Sequence, residues 1–134
     1  MKQFALKIVT PDGIRYDGNA EELVVRTTTG DMGILADHIS TVAPLGMGRC
    51  TVVIDGKTRY GACIGGMVTV VPGKVTVVAT TFEWADAIDR ERAQYSEEQA
   101  RTVLADKAAS ATAQRMAEAR LKRALIRQKV AGLK

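Results

Sequence analysis

Histidine occurs once and cysteine twice in this 134-residue chain, and aromatic residues make up only 4% of it. A lone imidazole cannot build the histidine–cysteine clusters that hold zinc. Nor does one histidine support a convincing nucleophile–histidine–acid set. Cys50 and Cys63 stand in apolar, strand-like stretches and form no CxxC pair. They read first as small buried thiols, ahead of a disulfide or a reactive thiol. So few aromatics leave little platform for stacking nucleobases. No glycine-rich phosphate loop is present, which argues against nucleotide hydrolysis. No apolar run reaches the roughly 20 residues of a membrane helix. Met1-Lys2-Gln3-Phe4 leads straight into alternation with no signal-peptide core. The expectation is a soluble, unprocessed chain that reaches a membrane only through a partner.

What is present divides unevenly. Eleven of the twelve glycines and all three prolines precede residue 74, and only Gly132 follows. Glycine and proline punctuate short strands, because turns demand unusual or fixed φ angles. Phe4, Leu6 and Ile8 alternate with Ala5, Lys7 and Val9, and Thr10-Pro11-Asp12-Gly13 then turns the chain. Asp55-Gly56, between Val52–Ile54 and Lys57–Tyr60, is a dipeptide suited to a two-residue type I′ hairpin. Pro72-Gly73 separates Val68–Val71 from Val75–Val78. Residues 1–84 are therefore expected to form a β-sandwich of about eight to ten short strands.

From Asp86 onward alanine replaces valine, with thirteen alanines among the last fifty residues. Ala93, Ala100, Leu104 and Ala108 recur at helical spacing, as do Ala113, Ala117, Leu121, Ala124 and Leu125. Two helices are expected, about 87–106 and 112–131, paired as an antiparallel hairpin over residues 85–134. The fold class is α+β. Ser110 and Thr112 are the candidate N-caps of the second helix. The link carries neither glycine nor proline, so a continuous helix is also permitted. An alanine seam buries little apolar surface, at about 0.8 kcal/mol per buried CH₂, so the hairpin should be marginal.

Charge divides too. Residues 1–84 hold eight basic and eight acidic side chains. Residues 85–114 hold four and six, and residues 115–134 hold seven and one. The excess of +4 thus originates in the second helix. Arg120, Arg123 and Arg127 form one stripe there, while Arg115, Lys122 and Lys129 lie on another side. Such a helix is either a solvated face or a docking surface for an acidic partner.

Several motifs, in order, resemble the epsilon subunit of bacterial F-type ATP synthases. They are Val9-Thr10-Pro11-Asp12-Gly13; Gly30-Asp31-Met32-Gly33-Ile34-Leu35 with His38; Val42-Ala43-Pro44-Leu45; Gly65-Gly66; Lys74-Val75-Thr76-Val77; Glu83, Ala85 and Ile88-Asp89; and Leu121-Lys122-Arg123-Ala124. The resemblance implies a non-catalytic subunit of the central stalk. Its sandwich would grip the gamma subunit and rest on the c ring, coupling proton-driven rotation to ATP synthesis. Its helices would either fold as a hairpin or extend, meeting the alpha and beta subunits and inhibiting ATP hydrolysis. The implied location is peripheral, on the cytoplasmic face of the bacterial plasma membrane, without direct insertion.

The resemblance also supplies candidate sites. Asp31 lies in the loop implied to face the c ring, and His38 in the neighbourhood implied for gamma. Ile88-Asp89-Arg90-Glu91-Arg92-Ala93 matches the I/L-D-x-x-R-A motif of Bacillus-like members that bind ATP. Arg123 and Arg127 are spaced as in those members. Glu83, Ile88, Asp89, Arg92, Ala93, Arg123 and Arg127 would then form a regulatory ATP site, with guanidinium groups on phosphate. Asp89 and the backbone around Ile88 would read the base, with Ala93 leaving room beside it. No cofactor is required. Asp89 and Arg92 also fit a plain helix start. Arg115, Arg120 and Lys122 are the candidate partner contacts of the extended tail. The rival function is a nucleic-acid-binding β-domain with a basic helical arm; the neutral sheet half opposes it, and no nucleic-acid partner is expected.

Overall fold

The computed structural model describes residues 2–133. Seven strands come first: β1 (Phe4–Thr10), β2 (Gly13–Ala20), β3 (Glu22–Thr27), β4 (Gly30–Ile34), β5 (Thr41–Ile54), β6 (Lys57–Val71) and β7 (Lys74–Trp84). A 3-10 turn at Ala85–Ala87 leads to α1 (Arg90–Ala105) and then α2 (Ala111–Ala131). The strands form one ladder in the order β2-β1-β7-β6-β5-β3-β4. Every pairing is antiparallel except β1 with β7, which is parallel.

The expected eight to ten short strands are seven, because β5 and β6 run for 14 and 15 residues. Gly65-Gly66 bends β6 instead of ending it. Both glycines have positive φ, 67° and 117°, and a Cβ on Gly66 would collide with the carbonyl oxygen of Val78. The ladders on either side skip a pair here, Gly46 facing Gly65 across to β5 and Gly65 facing Thr80 across to β7. The bend lets one ladder fold into two layers. Pro44 sits inside β5 without breaking it. Its carbonyl accepts from the Thr28 N–H at 3.2 Å, so its ring nitrogen faces the same side, where β3 has already ended. Asp55 and Gly56 have φ of 51° and 75°, the two positive values of a type I′ turn.

Between the layers lie large branched and aromatic side chains, among them Leu6, Ile8, Leu23, Ile34, Val77 and Phe82, each at most 1% exposed. Cys50 and Cys63 are unpaired and buried in this core. Burial raises both thiols, Cys63 to about 12 and Cys50 further, with the neighbouring Cys63 adding to the effect on Cys50.

The helices begin at side-chain caps and end on backbone ones, the Asp106 N–H on the Val103 carbonyl and the Gly132 N–H on those of Gln128 and Val130. Asp89 accepts from the Arg92 N–H at 3.0 Å and Ser110 from the Ala113 N–H at 3.0 Å. The expected first helix from about 87 shortens to Arg90–Ala105, because residues 85–87 turn as 3-10 and Ile88 is extended. Buried positions of the hairpin are Ala93 and Ala100 on α1, and Ala117, Ala124, Val130 and Ala131 on α2. Ala108 and Leu125, expected in the seam, are exposed. The end of α2 docks on the outside of one sandwich layer. There Val130 and Ala131 join Ala62 and Ile88, flanked by Tyr60, Ala85 and Ile126.

Among the described residues, the outer face of the other layer carries no helix. Neighbouring strands place Pro44 beside Met67, Met67 beside Val78, and Val78 beside Val9. Val42, Met67 and Val78 are 65%, 41% and 50% exposed.

Candidate functional site

The junction between β7 and the hairpin gathers part of the expected nucleotide set. Trp84 closes the strand, donating its indole N–H to the Arg15 carbonyl at 3.0 Å. The Arg59 guanidinium lies 3.8 Å above the Trp84 ring, a cation–π contact. Sequence reasoning missed this pair, and no local spacing signals it. One residue earlier, Glu83 receives Arg127 from α2. Arg127 Nε stands 2.7 Å from Glu83 Oε1, and Nη2 donates to Oε2 at 3.0 Å. The Nε approach is off the N–H axis, leaving that buried nitrogen with a Coulombic contact and no hydrogen bond. Both side chains are mostly buried, at 27% and 22% exposed, so solvent screens this pair less than an ordinary surface bridge.

The other expected residues are placed differently. Ile88 is buried in the docking cluster. The Asp89 carboxylate is occupied as the α1 cap. Ala93, expected to leave room beside a base, is instead fully buried within the hairpin. Arg92 is exposed and Arg123 half-buried. Among the described residues neither guanidinium makes a hydrogen bond or ion pair. The structure thus joins Glu83 to Arg127 and leaves the Arg92 and Arg123 guanidinium groups outside that pair.

Inter-helix polar contacts hold the hairpin. Arg120 Nε donates to Ser96 Oγ at 2.9 Å, and Gln128 Nε2 to Glu97 Oε1 at 2.9 Å. Arg101 Nε donates to the other Glu97 oxygen at 2.7 Å. The Gln128 amide first, and Arg101 next, hold the Glu97 carboxyl below its usual range. Arg115 and Lys122 are exposed.

Asp31 forms a cross-strand pair with Arg26 at 3.3 Å, both about half exposed. The β3–β4 hairpin spacing carries that signal, since residues 26 and 31 flank a tight turn. His38 Nδ1 lies 2.7 Å from the Ile39 carbonyl. Beside it the loop before β5 exposes Leu35 at 49% and Ile39 at 78%. No helix among the described residues is long and apolar enough to cross a membrane.

Residues 3–85 match the family model for the ATP synthase delta/epsilon chain, beta-sandwich domain. The ATP synthase epsilon chain of Bacillus velezensis is 44% identical over 132 residues, covering 98% of this chain and 99% of that one. That of Bacillus cytotoxicus is 44% identical over 134 residues, covering both chains fully. Among solved structures, a chain of the Euglena gracilis mitochondrial ATP synthase, OSCP/F1/c-ring in rotational state 1, superposes with a TM-score of 0.83 at 24% identity. It covers 98% of this chain and 82% of that one.

Proposed function

The chain belongs to the ATP synthase epsilon family, and from that membership we propose a non-catalytic subunit that links the rotor to the c ring and restrains ATP hydrolysis through its helices. The observation that carries this reading is the unequal dressing of the two sandwich faces. One is covered by a hairpin that rests on a small apolar cluster. The other presents Val9, Val42, Pro44, Met67 and Val78 with no helix upon them. The bare face is the gamma-binding surface. The β3–β4 turn beside Asp31 faces the c ring, and the loop at the other end of β4, with Leu35, His38 and Ile39, meets the base of gamma. Exposed apolar patches of this kind mark protein interfaces. Proton-driven rotation is thereby coupled to ATP synthesis, at the cytoplasmic face of the bacterial plasma membrane, without insertion.

The hairpin is the regulatory element. Extended, it brings Arg115, Arg120 and Lys122 to acidic segments of the alpha and beta subunits. Arg120 first leaves Ser96, and Arg127 leaves Glu83. Exposed ion pairs contribute only about 0–1 kcal/mol each, so several cations act together. ATP favours the folded state as a sensor ligand and is not hydrolysed. Its phosphates compete with Glu83 for Arg127 and recruit Arg92 and Arg123, while the Asp89–Ile88 segment meets the base.

The test compares ATP hydrolysis by the whole complex with and without residues 87–134. Truncation should raise hydrolysis and remove any relief of inhibition at high ATP beyond simple substrate saturation; unchanged values for both would sink the regulatory role. Titrating ATP into the isolated chain should shift α2 amide signals and raise the thermal midpoint. If neither moves, the sensor role is wrong while the rotor role stands.

A further inference from the structure

We propose that the groove between α2 and the outer face of β3 and β5 binds a small phosphate-bearing anion, such as inorganic diphosphate, and that its occupancy fastens the hairpin to the sandwich. The groove comprises two adjoining hollows of about 370 and 490 Å³, which share Arg26, Met47 and Lys122. Each lies within the range of roughly 300–1,000 Å³ common for small-molecule sites.

Its charge is lopsided across the joint. The sandwich contributes Arg26 and Arg49, and α2 contributes Lys122 and Lys129. Among the described residues Asp31 is the single carboxylate lining it, already 3.3 Å from Arg26. Docking α2 therefore brings like charges together. An anion between them reverses the sign of that interaction.

The sandwich side is shaped for such a ligand. Gly48 lets the Arg26 stem lie flat across β5, since a Cβ there would come within 2.6 Å of the Arg26 Cβ. The Thr27-Thr28-Thr29 turn with Gly30 forms the adjoining polar wall. Thr27 is consumed internally, its hydroxyl donating to the Gly30 carbonyl at 2.6 Å and receiving the Thr29 N–H at 3.2 Å. This fixes the turn and leaves the exposed Thr28 side chain free to donate. Lys122 and Lys129 are seven residues apart, hence on one helical face. Arg123 follows Lys122 by one residue, about 100° around the helix. The groove is thus separate from the Glu83–Arg127 junction. The inference rests on the reading that the hairpin can leave the sandwich.

Sodium diphosphate is titrated into the full chain at constant ionic strength, following amide shifts and hydrogen exchange. Thr28–Gly30 amides should shift, and exchange in residues 122–130 should slow at least fivefold. Arg26→Gln combined with Lys122→Gln should weaken half-saturation tenfold or more, and Arg123→Gln should leave it within twofold. Without any anion, Lys122→Gln with Lys129→Gln should slow α2 exchange, because repulsion is removed. An equal response to sodium chloride, an unaffected titration of the Arg26→Gln, Lys122→Gln double variant, or faster α2 exchange in the Lys122→Gln, Lys129→Gln variant each overturns the proposal. Loss of the diphosphate response in Arg123→Gln alone would move the ligand to the junction, overturning this groove while supporting the sensor. If α2 exchanges only with the whole fold, the regulatory reading fails, and the Thr28–Gly30 shifts still decide the groove.

Discussion

The sandwich and the hairpin bury different things. Leucine, isoleucine, valine and phenylalanine fill the space between the sheet layers, whereas the buried residues of α1 are Ala93 and Ala100 alone. A leucine-sized side chain fully buried contributes about 1.5–3 kcal/mol, and an alanine methyl a fraction of that. The first region is built to stay closed. The second relies on capping hydrogen bonds and on polar contacts that can be exchanged for others.

The largest way to break this contrast is Phe82→Ala. It removes a ring in edge contact with Trp84 at 4.9 Å between centroids and should cost about 3–5 kcal/mol in denaturant unfolding. Ala124→Gly on α2 should cost only about 1 kcal/mol. Equal effects would mean that the hairpin is as firmly built as the core. Thiol labelling reads the same contrast independently. Cys50 and Cys63 are held protonated by burial, so they should react with a disulfide reagent only as the sandwich opens, at a rate unchanged by Ala124→Gly.

Next is Arg127→Gln, which breaks the Glu83 pair. Given its partial exposure, about 1–2 kcal/mol of docking should be lost. Faster hydrogen exchange confined to α2 is the expected outcome; a matching drop in the sandwich midpoint would show the regions to be coupled. Ser110→Ala should cost about 1 kcal/mol of α2 stability through the lost cap, visible as fraying around Ala113.

The smallest effect is that of pH on Glu97. Its folded-state value is depressed, by Gln128 and then Arg101. Its contribution is therefore present above the unfolded carboxylate value and lost as pH falls through the folded one. Hairpin exchange should quicken below the ordinary glutamate range, and Glu97→Gln should flatten that dependence.

Much of the fold was legible where physics is local. Period-two alternation marked the strands, Asp55-Gly56 marked its turn, and Ser110 marked its helix start. Strand number was misjudged because Gly65-Gly66 reads as a stop, while only tertiary packing reveals that it bends a single long strand. The candidate site was less legible. Glu83 and Arg127 are 44 residues apart and Glu97 and Gln128 are 31 apart, so no spacing rule along one element could join them. Ala93 resembled part of a ligand pocket, and the same smallness serves close helix packing.

The parallel pairing of β1 with β7 has a mechanical consequence. The hairpin pulls on the chain through Trp84, the last residue of β7, and β7 lies between β1 and β6 in the ladder. A tug on the tail therefore loads an interior strand lengthwise, in shear, with several hydrogen bonds on each flank sharing the force. Had β7 been an edge strand pulled crosswise, the bonds would open one at a time like a zipper. The hairpin is thus anchored through a strand that stays paired under a load that would open an edge.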